Sequence, residues 1–281
     1  MKPAAFTYHR ASSVRDAVGL LGELGPEEPK ILAGGQSLVA MMNFRMARPG
    51  HLVDITRVPG LAGIRREGDV LRIGALTTHR AVEKADLGPD FRVLSEAMRW
   101  VGHLPIRTRG TVGGSIAHAD ATAEWCLLAV LLDAVVVAEG PAGRREIPAG
   151  EFFLGPFTTA LDPDEVIVEI VFPRPAPRAA LTEYADRRGD FAVVAAGADL
   201  DTGSVVLGGV GTVPLLLRDA GTPDEIADVP DLRDEPGAPA SYRRGLVRTL
   251  VARARTEAGS PRTGGDGPGV HRTTGAGAAD G

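Results

Sequence analysis

The segment Ala33-Gly34-Gly35-Gln36-Ser37-Leu38 follows directly on the apolar stretch Lys30-Ile31-Leu32. A chemically similar segment recurs at Gly110-Thr111-Val112-Gly113-Gly114-Ser115. Glycine lacks a Cβ, so such loops can enter left-handed conformations and turn successive backbone N–H groups toward one anion. The hydroxyls of Ser37, Thr111 and Ser115 add further donors. Each loop also runs into a helix or strand start, where unpaired N–H groups favour negative charge. A lone Gly-Gly pair usually makes only a turn, as expected of Gly264-Gly265. Two hydroxyl-bearing loops in one chain point to a shared phosphate-bearing ligand, with a diphosphate as the natural guest.

Neither loop reads G-x-G-x-x-G, and no G-x-x-x-x-G-K-[ST] occurs, so a Rossmann dinucleotide fold and a P-loop are both poorly supported. The formal net charge of −5, with Lys and Arg dispersed along 281 residues, provides no basic stripe and argues against nucleic acid as a partner. Cys126 is the single cysteine. It excludes a disulfide within the chain and a cysteine-held iron–sulfur cluster in this chain alone, and its place in Trp125 to Leu132 makes it a buried core thiol. His118 and Asp120 are too few for a metal site and are expected to make loop hydrogen bonds. Arg107 and Arg109 are expected in surface ion pairs, and the same structural reading covers His79 and His103. Nothing forms a nucleophilic or acid–base constellation, so no catalytic residue and no metal site is assigned.

The elements that must hold the loops follow from periodicity. Ser12 or Ser13 caps a helix with Val14, Ala17, Val18 and Leu21 on one face, ending near Gly25-Pro26. A short strand Lys30 to Ala33, the first loop, a helix through Met41 and Met42, and a strand Leu52 to Ile55 make a β-α-β-like unit ending near Arg57. Val70 to Gly74 reads as a strand, Thr77 or Thr78 as a cap, and Phe91, Leu94, Met98 and Val101 as the buried face of one helix. Ala134 to Ala138, Glu165 to Val171, Phe191 to Leu200 and Ser204 to Leu207 read as strands. Ser241 to Ala258 reads as a basic amphipathic helix. Pro173 to Pro177 suits neither helix nor central strand and marks a candidate domain boundary. From Gly259 the composition is Gly, Ala, Thr and Pro, too poor in apolar anchors to order, so residues 259–281 are expected to be disordered. The chain lacks a signal-peptide core and any run near the roughly 20 apolar residues of a membrane span, so a cytoplasmic protein is expected.

Several of these segments, in order, resemble the FAD-binding medium subunit of the molybdenum hydroxylase family, of the carbon monoxide dehydrogenase and xanthine dehydrogenase type. They are Ala33 to Leu38; Leu52 to Ile55; Ile73-Gly74-Ala75 with Thr77-Thr78-His79; Ile106-Arg107 and the run Arg109 to Asp120; Arg187 to Ala192; Gly208 to Gly211; and Tyr242 to Arg244. The likeness spans roughly residues 1 to 258. It departs from the family pattern at Thr108, at Ala121 and in Pro214 to Leu217.

The resemblance implies an α+β fold: a two-subdomain FAD-binding domain of the vanillyl-alcohol-oxidase (PCMH) type over residues 1–174, with subdomains of roughly 1–57 and 58–174. A smaller α+β carboxyl-terminal domain over residues 178–258 follows. It implies non-covalent FAD against Ile31, Leu32, Ala33, Gly34, Gly35, Gln36, Ser37 and Leu38, and against Thr111, Gly113, Gly114 and Ser115. Val101, Glu124, Leu161 and Glu183 are further implied contacts. It also implies a large molybdopterin-binding subunit and a small subunit with two [2Fe-2S] clusters as partners, in a dimer of heterotrimers. The implied role is electron transfer from those clusters through FAD to an external acceptor: NAD, a quinone or oxygen. Two alternatives remain, a self-sufficient FAD-dependent reductase of the same fold and a flavin-free scaffold.

Overall fold

The structure, a computed structural model, describes residues 2–234 and 238–260. The expected disordered tail, Gly264-Gly265 included, lies outside the described residues from 261 onward. Gly259, placed in that tail by composition, closes the last helix instead. Among the described residues no helix is long and apolar enough to cross a membrane.

The first layer contains β1 (Thr7–Arg10), α1 (Val14–Leu24), β2 (Lys30–Leu32), α2 (Leu38–Asn43) and β3 (His51–Asp54). The strand β3 is central and parallel to both neighbours, with Thr7 opposite His51 and Lys30 opposite Leu52. The β2-α2-β3 crossover is the expected β-α-β unit. Ser13 caps α1 by accepting a hydrogen bond from Asp16 N, which satisfies one of the helix's orphan donors. The buried stripe Ala17, Val18 and Leu21 packs into a cluster with Val53 of β3 and with Val137, Val166 and Val168 of the next layer. Helix α1 therefore fixes the angle between the first two sheets.

The second layer runs β4 (Ile64–Glu67), β5 (Val70–Gly74), α3 (His79–Lys84), α4 (Gly88–Ala97), α5 (Leu104–Arg107), α6 (Val112–His118), α7 (Glu124–Leu131), β6 (Val135–Gly140), β7 (Gly143–Pro148), α8 (Ala149–Phe152), β8 (Phe153–Gly155), β9 (Thr158–Thr159) and β10 (Val166–Phe172). Its five-stranded antiparallel sheet has the order β4-β5-β10-β6-β7, so the most apolar strand, β10, takes the centre. Helix α7 is apolar on every side after Glu124, and Trp125 to Leu131 are all buried, as an all-apolar helix requires. Cys126 lies within it, wholly buried. The residues read as one helix face divide here. Thr78 caps α3, which stops at Lys84; α4 stops at Ala97, and Met98 and Val101 are buried in the turns beyond it.

The third layer is an antiparallel meander of β11 (Ala179–Tyr184), β12 (Val194–Asp199), β13 (Ser204–Gly208) and β14 (Leu215–Leu217), followed by α9 (Pro223–Asp228) and α10 (Ala240–Gly259). The strand expected from Phe191 starts only at Val194, and Phe191 is exposed. Helix α10 buries Val247, Leu250, Val251, Ala254 and Ala258 along one stripe and covers one face of this sheet. Arg243 is also buried, donating to the carbonyl oxygens of Gly209 and Arg233. The opposite face meets α7: a Cβ on Gly197 would lie 2.9 Å from Leu131, and one on Gly208 3.1 Å from Leu127. One buried apolar cluster runs from Leu71 and Ile73 through α7 to Ala195 and Val206, so the core is continuous across the stretch 173–178, which carries no helix or strand.

Candidate functional site

The two glycine loops meet across a cleft of about 790 Å³. The first leaves β2 and turns into α2. Gly35 holds φ at +72°, where a side chain would be strained, and Val39 N donates to its carbonyl. Gln36 Nε2 donates to Gly34 O at 3.2 Å, closing the turn. Among the described residues, the N–H groups of Gly34, Gly35, Gln36 and Ser37 find no acceptor, and all four residues line the cleft. The loops touch back to back: a Cβ on Gly34 would sit 2.2 Å from Arg109 O and 2.9 Å from Gly110 Cα.

The second loop works differently from the expected amide cradle. Val112 N donates to Thr77 O at 3.0 Å and Gly113 N to Ala75 O at 2.9 Å. Gly114 N donates to Thr111 Oγ1 at 3.2 Å, and Ser115 N to Thr111 O at 3.0 Å. Those amides are engaged in capping α6 and tying it to the turn after β5, so the loop presents hydroxyls and close backbone approach rather than free N–H groups. Gly113 is also required by packing, because a Cβ there would lie 2.6 Å from that of Ala75.

Ile31, Ala33, Gly34, Gly35, Gln36, Ser37, Leu38, Val101, Thr111, Gly113, Gly114, Ser115, Glu124 and Leu161 all line this one cleft. Leu32 and Glu183 do not. Leu32 pairs with Asp54 in the sheet, its side chain alternating to the face opposite Ile31. Glu183 sits in β11, opposite Ala195 and on the face that packs against α7.

The electrostatics are unusual for an anion site. Among the lining residues Lys30 alone carries a permanent positive charge, against Glu124, Asp162, Glu165 and Asp190. Arg145 grips Glu165 through two bonds of 2.6 and 2.8 Å, which holds that carboxyl below the usual carboxylate range. Arg187 pairs with Asp190 at 2.9 Å. Burial pushes Glu124 up to about 7, with nearby Asp120 adding to the shift; burial and Glu124 push Glu183 up to about 8.

Among the other residues singled out by type, one departs from expectation. His79 is no surface residue: it is buried, lines the cleft, and accepts a hydrogen bond at Nδ1 from Trp125 Nε1 at 2.9 Å. Arg107 donates to Glu83 at 3.1 Å and to the carbonyls of Val101 and Gly102, bracing the corner that presents Val101 to the cleft. Asp120 accepts from Thr122 N and Oγ1, and the His118 ring tilts against Phe157 at 5.0 Å. Sequence reasoning missed the rim, where the exposed side chains of Phe44, Met46, Phe157 and Phe191 line the opening. Of these only Phe191 stood in a recognised segment.

Residues 4–175 match the family model described as FAD binding domain in molybdopterin dehydrogenase. The nicotine 6-hydroxylase medium subunit of Paenarthrobacter nicotinovorans is 34% identical over 92% of this chain and 99% of its own length. The carbon monoxide dehydrogenase medium chain of Hydrogenophaga pseudoflava is 44% identical over 62% of this chain and 60% of its own. A solved structure of carbon monoxide dehydrogenase from the same organism superposes with a TM-score of 0.83 at 34% identity, covering 92% of this chain and 98% of that one. A cleft lined by two glycine loops, a matching family model and a shared fold agree: the chain belongs to the FAD-binding medium subunits of the molybdenum hydroxylase family, an oxidoreductase subunit whose cofactor is FAD.

Proposed function

We propose that this chain is the electron-transfer flavoprotein subunit of a molybdenum hydroxylase. It would receive electrons from iron–sulfur clusters of a small partner and deliver them to an external acceptor. The observation that carries this reading is the row of unengaged amides from Gly34 to Ser37, set against the second loop in a cleft large enough for a dinucleotide. Bound FAD supplies redox chemistry that accepts electrons singly and releases them in pairs.

The chain's own residues bind and orient. The first loop supplies N–H donors for the diphosphate, while Thr111 and Ser115 supply hydroxyls from the facing loop. Gly34 and Gly113 permit the close approach that keeps the loops in register. Met41, Ile167 and Leu161 give the cleft apolar walls that exclude water from a flat ring system. Neither loop offers His or Cys for attachment, so the cofactor is held without a covalent bond.

The domain division follows from the same reading: an FAD-binding unit over residues 1–174, of the two-subdomain PCMH type, and a carboxyl-terminal unit over 178–258. The large molybdopterin-binding partner, the small partner with two [2Fe-2S] clusters and the dimer of heterotrimers belong to this proposal, as does a cytoplasmic site of action. Co-expression with neighbouring large and small subunits tests it. A stable complex containing non-covalent FAD is expected. A chain that stays alone while oxidising NADPH would replace the proposal with the self-sufficient reductase.

A further inference from the structure

His79 stands against the second glycine loop and lines the cleft, with one ring nitrogen occupied and the other without a partner among the described residues. Thr78 Oγ1 accepts from Ala81 N at 3.1 Å, which sets His79 as the first residue of α3. Its backbone N–H donates to Gly110 O at 3.0 Å, tying it to the loop. The Trp125 indole is a donor only, so its bond to Nδ1 requires that nitrogen to accept and leaves the proton of the neutral ring on Nε2. Trp125 itself is wholly buried at the start of α7, which pins the ring. Nε2 meets no hydrogen-bond partner among the described residues, although His79 is only 5% exposed. A Cβ on Gly110 would lie 2.7 Å from Nε2, so glycine at that position leaves room beside this nitrogen. Burial and the nearby charge of Arg107 push the imidazole down to about 4, so it is neutral through the physiological range.

We propose that His79 Nε2–H donates a hydrogen bond to an oxygen of the bound flavin cofactor beside the second loop, with Trp125 as the positioning residue that fixes the tautomer. A donor that borders the cleft loses contact with water when a cofactor fills that space, a penalty that a cofactor oxygen would offset. The proposal rests on the FAD reading of the cleft.

The test titrates the full chain, stripped of flavin, with FAD and follows flavin fluorescence. His79→Asn keeps a polar atom near the Nδ1 position for Trp125 but has no donor at the Nε2 position. His79→Gln keeps an N–H near the Nε2 position. His79→Asn is expected to raise the dissociation constant about tenfold or more, and His79→Gln to stay within about threefold of wild type. Repeating the series with FMN and riboflavin locates the acceptor. A penalty absent with riboflavin supports a phosphate oxygen, and one present with all three supports an oxygen of the ribityl chain or ring. The reverse order, with His79→Gln impaired and His79→Asn normal, overturns the proposal and makes His79 only an acceptor for Trp125. Equal affinity of both variants with wild type overturns it as well. If neither variant folds, histidine nitrogen NMR of the wild type decides: the Nε2–H tautomer with a proton resonance that moves on adding FAD supports the proposal, and an unmoved resonance overturns it. Wild-type chain that takes up no FAD overturns the cleft reading itself, a failure seen before any substitution is made.

Discussion

Substituting Gly34 by alanine probes the contact on which the site geometry turns. The added Cβ would fall 2.2 Å from Arg109 O, a backbone atom that cannot rotate away. Ordinary contact begins near 3.4 Å, so the two loops must part by about 1.2 Å. Overpacking of this kind carries about 1–3 kcal/mol where the surroundings cannot move. Both segments are surface loops, so most of the strain in the cofactor-free chain is relieved by separation, and Tm should fall by only a few degrees. Binding must then either reclose the loops or accept a widened cradle. The lost contacts correspond to about 1.4–2.8 kcal/mol, a rise of about 10- to 100-fold in the dissociation constant for FAD. Gly19→Ala is the control, since Gly19 is exposed on α1 with nothing within 4 Å; there alanine should leave FAD binding unchanged and stabilise the helix by up to about 1 kcal/mol. Flavin titration with parallel thermal unfolding reads both quantities. Gly34→Ala with wild-type affinity and wild-type Tm would refute the argument that loop contact shapes the site.

Gly114→Val should abolish FAD retention during purification. Its Cβ would press on Thr111 Oγ1 at 2.7 Å and point its methyl groups toward Ala33, and undiminished flavin stoichiometry would reject the role of this loop. The Glu124–Glu183 pair predicts a pH dependence of the cofactor-free chain. Both carboxyls titrate higher folded than unfolded, so their contribution is complete below about pH 4.5 and is lost as pH rises through about 7 to 8. Thermal unfolding between pH 5.5 and 8.5 should show a falling midpoint that Glu183→Gln flattens; parallel curves would remove the buried pair as its cause.

Local signals were readable wherever local physics decides the outcome. Ser13 and Thr78 are caps in the structure because a hydroxyl before an apolar period has one strong use. Trp125 to Leu131 had to be buried because no face of that helix is polar. The helix expected to carry Phe91 through Val101 is shorter than its apolar period implies: Gly88 at φ +66° and Pro89 start it, and it stops at Ala97, with Met98 and Val101 buried in the turns beyond. The engaged amides of the second loop were out of reach for a different reason. Gly114 N and Ser115 N bond locally to Thr111, but Thr77 and Ala75, the partners of Val112 N and Gly113 N, lie more than thirty residues back, and only the tertiary fold brings those carbonyls to the loop. The cleft rim was equally hidden, since Phe44, Met46 and Phe157 are single exposed apolar residues without period or motif.

How a chain of net charge −5 holds a diphosphate becomes clear from the neighbours of its acids. An anion in a cleft with four lining carboxyls and one lysine should be repelled. Glu165 and Asp162 both face Arg145, at 2.6 and 3.7 Å, and Asp190 faces Arg187, so three of the four are paired outside the cleft. The fourth, Glu124, is pushed toward its neutral form by burial. The acids are thereby made electrically quiet, and the neutral N–H groups of the first loop can favour an anion without a matching set of lining arginines. Such a cradle depends on geometry more than on charge. The sharpest losses of affinity are therefore expected at glycines, which carry no charge at all.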